Sequence, residues 1–174
     1  MQVFLFMPLL IRCEVPADRA AIAALTQAAF LEAPHTRHNE HRILAALRDA
    51  GALALSLVAE QDGALVGHVA VSPVSISDGT PGWYGIGPLS VAPAWQGRGM
   101  GAQLMQAALG LMKDKAASGC VVLGDPAYYA RFGFRPAPGL TLPGVPPEHF
   151  LALPFGQALP KGAVRYHAAF DQKE

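Results

Sequence analysis

The chain has 174 residues, 52% hydrophobic and 15% charged, a composition typical of a folded globular protein that excludes an intrinsically disordered one. Its 13 Lys and Arg residues balance 13 Asp and Glu residues, and this neutral charge argues against nucleic acid as a partner. The length predicts one domain over residues 1–174. Cys13 and Cys120 form no CxxC pair, which favours neither a disulfide framework nor a zinc site and is typical of the reducing cytoplasm.

The N-terminal stretch MQVFLFMPLLI carries no charge before Arg12, but it is too short to span a membrane. It also lacks the basic start and the small-residue cleavage site of a signal peptide. We therefore expect an edge strand over residues 9–13 after a few extra residues, a cytoplasmic location and no membrane partner.

Apolar residues at helical spacing predict a helix over residues 16–31 and a second over 41–50, with a polar, proline-broken loop between them. Two β-rich runs follow over residues 53–60 and 64–76. The Asp62-Gly63 pair between them favours a tight hairpin turn, so these two strands are expected to be antiparallel.

Residues 83–91 predict a further strand, which a glycine-rich loop connects to a helix ending near residue 118 and a strand over residues 119–125. The order strand, helix, strand predicts a parallel crossover. The remaining predicted elements are a short helix over residues 126–132 and late strands over residues 150–155 and 164–170.

The glycine-rich loop places Gly97, Gly99 and Gly101 at alternate positions before the third long helix. Because these residues have no side chains, a ligand can approach the backbone closely. The N–H groups at the start of the helix have no partners within it and can bind the oxygens of a phosphate. The loop is therefore predicted to hold a phosphate-bearing ligand.

Three classes of phosphate ligand are distinguished by the context of this loop. A P-loop is excluded, because the chain has no GxxxxGK string followed by Ser or Thr. A dinucleotide site is matched by the GxGxxA pattern of Gly97, Gly99 and Ala102, with Asp125 placed to hold a ribose. However, four residues separate that pattern from its strand, and only one clear crossover follows. The third ligand, coenzyme A, has an anionic diphosphate and a long pantetheine arm.

The loop sequence QGRGMG, residues 96–101, resembles the Q/R-x-x-G-x-G/A motif of the GNAT N-acetyltransferase superfamily and follows the expected strand. A second segment, LGDPAYYARFGF at residues 123–134, is similar to the later family segment with an aromatic pair, a basic residue and Gly-Phe. The start IRCEVPADRAAIAALTQAAF and the end VRYHAAF resemble the YhbS-like branch, so the resemblance covers nearly the whole chain.

This resemblance implies an α/β (α+β) domain with a mixed, mostly antiparallel sheet, a splayed central parallel pair of strands and flanking helices. It also implies acetyl-CoA as cosubstrate, no metal, and direct acetyl transfer to a primary amine in a ternary complex. Pantetheine would enter between the strand at Leu89 and Val91, whose backbone amides hold it, and the strand at residues 121–124. The implied cofactor-binding residues are Leu89, Ser90, Val91, Gln96, Gly97, Arg98, Gly99, Met100, Gly101, Ala102, Asp125, Tyr128 and Tyr129.

The departing CoA thiolate needs a proton donor, and Tyr129 matches the family position for this general acid. A phenol with an ordinary pKa of about 10 is protonated at neutral pH and can donate. Tyr128 is the weaker candidate, and both rings could instead serve only to pack the core. The resemblance implies the backbone N–H of Val91 as the donor to the tetrahedral oxyanion.

The general base is not evident, because residues 83–91 contain no carboxylate or histidine, unlike relatives with a glutamate there. A chain of water molecules could replace a dedicated base. The other candidates are His35, His38, Glu40 and His41 in the loop between the first two helices, and the more distant Glu32 and His68.

Three other chemical patterns are given structural interpretations. Three histidines at 35, 38 and 41 have the residue types of a zinc site, but the polar loop offers no regular scaffold, so solvated surface histidines are preferred. Cys120 has no adjacent base and is expected to be inert. Asp125 precedes a proline and is expected to cap the short helix after it.

The sequence thus predicts an N-acetyltransferase that acts on a small-molecule or peptide amine. The apolar late strands are compatible with a homodimer. The missing base leaves open a function of another class, a non-catalytic acyl-CoA-binding regulatory module. Turnover of acetyl-CoA with an amine distinguishes the two.

Overall fold

The structure, a computed structural model, describes residues 8–156 and 158–172. The residues before Pro8, expected to precede the edge strand, lie outside this range. The helices are α1 (Arg19–Phe30), α2 (Glu40–Asp49), α3 (Met100–Asp114) and α4 (Pro126–Tyr129). The strands are β1 (Leu10–Cys13), β2 (Leu55–Gln61), β3 (Ala64–Pro73), β4 (Ser75–Ile76), β5 (Trp83–Val91), β6 (Gly119–Leu123), β7 (Arg135–Pro136), β8 (Leu140–Thr141), β9 (Phe150–Pro154) and β10 (Gly162–Arg165).

Within the described residues, seven strands form one sheet in the order β1-β2-β3-β5-β6-β9-β7, and β4, β10 and β8 form a smaller one. Neighbouring strands of the main sheet are antiparallel except for the central pair β5 and β6, which is parallel. The predicted mixed sheet and its single crossover are therefore confirmed. A doubly wound dinucleotide fold, which needs a mostly parallel sheet, is not formed.

Helices cover both faces of the main sheet, because successive strand residues point to opposite faces. On one face, α3 buries Leu104 and Met105 against strand residues that include Leu57 and Val69. On the other face, Ile22 of α1 and Leu44 of α2 pack on β2 and β3. Burial of apolar surface on both faces holds the central strands in place.

The central pair separates partway along its length. Only the first three residues of β5, ending at Gly85, pair with β6, where Gly85 lies opposite Val121. Beyond Gly85, β5 remains paired with β3, whereas β6 continues beside β9. Between the pairs Val69–Leu89 and Val71–Ile86, β5 carries one residue more than β3, and a bulge of this kind bends a strand. The result is an open gap between the far ends of β5 and β6, as predicted.

Several local predictions are confirmed. β5 spans residues 83–91, as its apolar pattern predicts. The β2–β3 hairpin turns at Asp62 and Gly63, whose φ angles of 51° and 79° are those of a tight turn with two left-handed residues. The edge strand forms over Leu10–Cys13. Among the described residues, no helix combines the length and the apolarity needed to cross a membrane.

Four predicted boundaries are wrong. α3 ends at Asp114 rather than near 118, because the chain reverses at Ala116, which adopts a φ of 59°. α2 begins at Glu40, so Glu40 and His41 belong to its first turn and not to the preceding loop.

The run over residues 64–76 divides after Pro73, and its last two residues pair with β10 in the smaller sheet. Proline has no N–H to continue the ladder. The final strand covers only Gly162–Arg165. After it, the ring of His167 accepts a hydrogen bond from the N–H of Ala169 at 3.1 Å, and this cap starts a 3-10 turn at Ala168–Asp171.

Candidate active site

The glycine loop leads from the open end of β5 into the first turn of α3. Gly97 and Gly99 adopt φ angles of 74° and 79°, a region that favours glycine. Gly99 is the N-cap of the 15-residue α3 and has no side chain with which to cap it. The first N–H groups of α3 therefore face the loop and form an anion-binding end. The side chain of Met100 is buried in the core, so only its backbone faces the loop.

The side chains of the loop hold its shape and add a positive charge. Gln96 donates from Nε2 to the carbonyl of Val91 at 3.1 Å, which ties the loop back to the strand. The guanidinium of Arg98 lies 4.7 Å from the centroid of the Trp95 ring. This stacking keeps the cation next to the positive end of α3, where an anionic group would meet both.

The backbone of β5 directs alternate amides into the gap. The N–H of Ala92 donates to the carbonyl of Val66 at 2.8 Å, on the β3 side. Alternate residues of a strand direct their amides to opposite sides. Ser90 therefore also faces β3, and its side chain is buried, whereas Leu89 and Val91 direct their N–H groups toward β6. Since β6 has moved away, these two amides are open to a ligand.

Tyr128 closes the corner between the loop and the gap. A Cβ at Gly101 would lie 3.4 Å from Oη of Tyr128, 3.7 Å from Cγ2 of Val91 and 3.9 Å from Cδ2 of Leu89. Tyr128, the end of β5 and the start of α3 thus converge at Gly101. The guanidinium of Arg131 lies 4.4 Å from the centroid of the Tyr128 ring and holds it from the outside.

Tyr129 lies at the open end of β6. Asp125 accepts a hydrogen bond from the N–H of Ala127 at 2.9 Å and caps α4, as predicted. The Tyr129 ring packs on Gly124, where a Cβ would collide with it, and lies edge-on to Phe134 at 6.0 Å. Burial raises the pKa of Tyr129, and the neighbouring Tyr128 raises it further. Tyr129 therefore remains a phenol at neutral pH and can donate a proton.

Tyr166 also lies in this region, although the sequence pattern assigns it no role. Its ring packs on Gly85 from the face of β5 opposite α3, so a Cβ at Gly85 would collide with Cε1 and lie 3.1 Å from Cζ. The only signal in the sequence was the absence of a side chain at position 85. Nothing in the linear pattern indicates that residue 166 fills that space.

The candidate bases of the first loop remain at its surface. His35 and His38 are exposed, with φ angles of 60° and 57°, and Glu40 accepts a hydrogen bond from Thr36. His41 lies 3.3 Å from the amide nitrogen of Gln27. Among the described residues, no hydrogen bond links these side chains to the gap, and no cluster of three His, Cys, Asp or Glu residues could hold a metal ion.

His68 belongs to a buried network on the α1 side of the sheet. Its Nε2 lies 2.8 Å from the hydroxyl of Ser56, which donates to Glu14 at 2.6 Å. Arg48 of α2 donates twice to the same carboxylate, at 2.7 and 2.9 Å. Burial lowers the pKa of His68 to about 4, so the ring is neutral at pH 7. Cys120, whose pKa burial raises to about 12, remains a thiol.

Comparison with known proteins agrees with this geometry. Residues 19–134 match the model of the acetyltransferase (GNAT) family. YhbS of Escherichia coli K12, described as an uncharacterized N-acetyltransferase, is 38% identical over 128 residues, which cover 73% of this chain and 74% of that protein.

Two solved structures are similar over nearly their whole length. A GNAT family acetyltransferase from Brucella melitensis in complex with acetyl-CoA is 47% identical, with a TM-score of 0.85 over 94% of this chain and 99% of that one. YhbS of Escherichia coli in complex with CoA is 32% identical, with a TM-score of 0.86 over 99% and 97%. The chain belongs to the acetyltransferase (GNAT) family of N-acetyltransferases.

Proposed function

We propose that residues 1–174 form one domain that transfers the acetyl group of acetyl-CoA directly to a primary amine within a ternary complex. The observation that carries this proposal is the gap between β5 and β6, which leads from the anion-binding start of α3 to Tyr129. Two similar structures contain acetyl-CoA and CoA, ligands of the length and charge that such a gap would accept. The acceptor is a small-molecule or peptide amine, without a nucleic-acid or membrane partner.

The donor is held mainly by backbone groups. The diphosphate lies at the first N–H groups of α3, with Arg98 beside it, because both carry positive charge. The pantetheine amides bond to Leu89 and Val91 and replace the β6 partner that these residues lack. The thioester then lies closer to the beginning of β5, near Gly85 and Tyr129. Of the two open amides, that of Leu89 is nearer to this point. We therefore propose Leu89 as the donor to the oxyanion, in place of the Val91 that the resemblance implies, and Val91 as a partner of the pantetheine arm.

The reaction forms a C–N bond and breaks a C–S bond. The lone pair of the neutral amine attacks the carbonyl carbon, and the resulting oxyanion accepts a hydrogen bond from the β5 backbone. The C–S bond breaks as the oxyanion collapses, Tyr129 donates its proton to the leaving thiolate, and the amine nitrogen loses one proton to water. Tyr129 regains a proton from solvent. The products are an N-acetyl amide and CoA thiol.

Before the attack, the protonated amine also loses a proton to water, because residues 83–91 provide no base and His68 is enclosed in its own network. The free thiols Cys13 and Cys120 favour a reducing compartment, and we place the enzyme in the cytoplasm. The apolar late strands are compatible with a homodimer, and size-exclusion chromatography with light scattering tests for it.

Thiol release from acetyl-CoA with a panel of primary amines tests this function. We expect turnover with at least one amine, and stabilisation against thermal unfolding by CoA but not by NAD. Stabilisation by CoA without turnover of any amine would favour the non-catalytic acyl-CoA-binding module. Stabilisation by NAD alone would contradict CoA binding altogether.

A further inference from the structure

Tyr166 lies at the closed end of the gap. Gly85, on which its ring packs, is the last residue of β5 that pairs with β6. Tyr84 and Ile86, on either side of Gly85, pack against the α3 core, so Tyr166 reaches β5 from the other face. Tyr129 also packs against the α3 core. The two phenols therefore approach the gap from opposite faces of the sheet.

The hydroxyl of Tyr166 lies near Cys120 and Tyr129 and is not bonded to another described residue. Burial raises the pKa of Tyr166, and the Cys120 thiol and the Tyr129 phenol raise it further, so the three groups lie within electrostatic reach of one another. Among the described residues, the Tyr166 hydroxyl has no hydrogen-bond partner, and it is not one of the fully enclosed polar atoms that lack one. The Tyr166 oxygen is therefore free to accept a hydrogen bond.

The chain holds Tyr166 firmly on both sides. Before it, Val164 of β10 pairs with Ile76 of β4. After it, Ala169 packs against Ile43 and Leu47 of α2, and the carbonyl of Gln172 accepts a hydrogen bond from Asn39 at 2.9 Å. The Phe170 ring supports the phenol, with 5.0 Å between centroids. A group fixed in this way loses little entropy when it binds a substrate.

We propose that Tyr166 binds the acceptor, and that its phenol oxygen accepts a hydrogen bond from an N–H of the attacking amine. This inference rests on the proposed function. In the proposed complex, the β5 backbone donates to the carbonyl oxygen, and Tyr129 donates to the sulfur from the α3 face of the sheet. Tyr166 places a polar group near the same carbonyl from the opposite face. A hydrogen bond from one N–H directs the nitrogen lone pair toward the carbonyl carbon. Tyr166 gives up no proton in this role.

Two unreactive CoA thioethers test this role without knowledge of the acceptor. One carries S–CH2–CO–CH3, and the other carries S–CH2–CO–NH–CH3, whose N–H takes the place of the attacking amine. Calorimetric titration of the whole chain should show that Tyr166→Phe weakens binding of the amide about three- to tenfold, the value of one hydrogen bond, and leaves the methyl ketone unchanged. Tyr84→Phe, one residue before Gly85 on the other face, should leave the ratio of the two affinities as in the parent.

The results of these titrations distinguish a failure of the Tyr166 assignment from a failure of the proposed acetyltransferase function. Equal weakening of both thioethers by Tyr166→Phe would indicate a packing role, and no weakening of either would mean that the hydroxyl does not contact the amine; both results overturn the assignment. If the folded parent bound neither thioether, the proposed function itself would be wrong. With an amine substrate in hand, Tyr166→Phe should raise the KM for the amine and leave that for acetyl-CoA unchanged.

Discussion

The two halves of the proposed site are built in different ways. The donor half comes from one stretch of chain, residues 89–129, and consists largely of backbone amides at the end of β5 and the start of α3. The acceptor half combines Gly85 and Tyr166, which are far apart in sequence and meet only in the fold. A constant ligand such as CoA can be bound by main-chain groups, whereas a specific acceptor needs side chains that other elements bring into place.

The two halves also differ in the interactions that stabilise them. The donor half depends on glycine conformation and on the dipole of α3. On the acceptor side, α2 is tied to the sheet through the ion pair of Arg48 and Glu14, and α2 in turn supports the turn after Tyr166. Substitutions should therefore affect the two halves through different measurements.

The largest expected effect is on chemistry in the donor half. Tyr129→Phe should lower kcat for amine acetylation about a hundredfold, because general acids typically contribute at least that factor. Thiol release at saturating acetyl-CoA measures it. The Kd of CoA should change by less than about twofold, since the CoA sulfur that Tyr129 faces is a weak hydrogen-bond acceptor. An unchanged kcat would mean that Tyr129 only packs against Phe134.

The next effect concerns donor binding alone. Gly101→Val should weaken CoA binding about tenfold or more, because its methyl groups would fill the corner next to Tyr128. The control is Gly110→Ala on the same helix, where a Cβ meets nothing within 4 Å. It should leave the Kd of CoA unchanged and raise the free energy of unfolding by about 0.5–1 kcal/mol. Equal CoA affinity for Gly101→Val and the parent would argue against a ligand at this corner.

The third prediction concerns the acceptor half. Gly85→Ala should lower the free energy of unfolding by about 1–3 kcal/mol, because its Cβ collides with the Tyr166 ring. In a Tyr166→Ala background, which removes that ring, the same substitution should cost much less. Urea denaturation of the four proteins measures the coupling. Additive costs would show that the ring does not rest on Gly85 in solution.

The last prediction concerns the pH dependence of stability that arises from the network beneath α1. The His68 pKa is about 4 in the folded chain, against an ordinary value of 6.5 for a solvated histidine, so the unfolded chain binds more protons between these values. The free energy of unfolding should therefore fall as the pH is lowered from 6.5 to 4, by at most about 1.4 kcal/mol per pH unit. Glu14 acts in the same direction at lower pH. Burial acts to raise its pKa, but the hydrogen bonds from Arg48 and Ser56 lower it overall.

His68→Gln tests this origin of the pH dependence. Urea denaturation at several pH values should give a shallower slope for this variant than for the parent. His149→Gln, at an exposed histidine, should keep the parent slope. If His68→Gln kept it as well, the proton uptake would belong to another group.

Local signals were sufficient for much of the fold. The Asp-Gly turn of the first hairpin and the Asp125 cap before Pro126 were predicted because each depends on residues adjacent in the chain. The end of α3 was missed because Ala116 adopts a left-handed conformation that alanine does not signal. The predicted final strand extends too far, since Ala169 and Phe170 are apolar but belong to a 3-10 turn that packs on α2.

The sequence by itself determined the family, the antiparallel sheet with one parallel crossover and the glycine-rich loop before α3, because these depend on short-range pattern and on motifs of contiguous residues. Only the tertiary structure decided how far β5 and β6 stay paired, and that Tyr166 fills the space over Gly85. Those features depend on packing between segments up to 81 positions apart, for which a single chain carries no local signal.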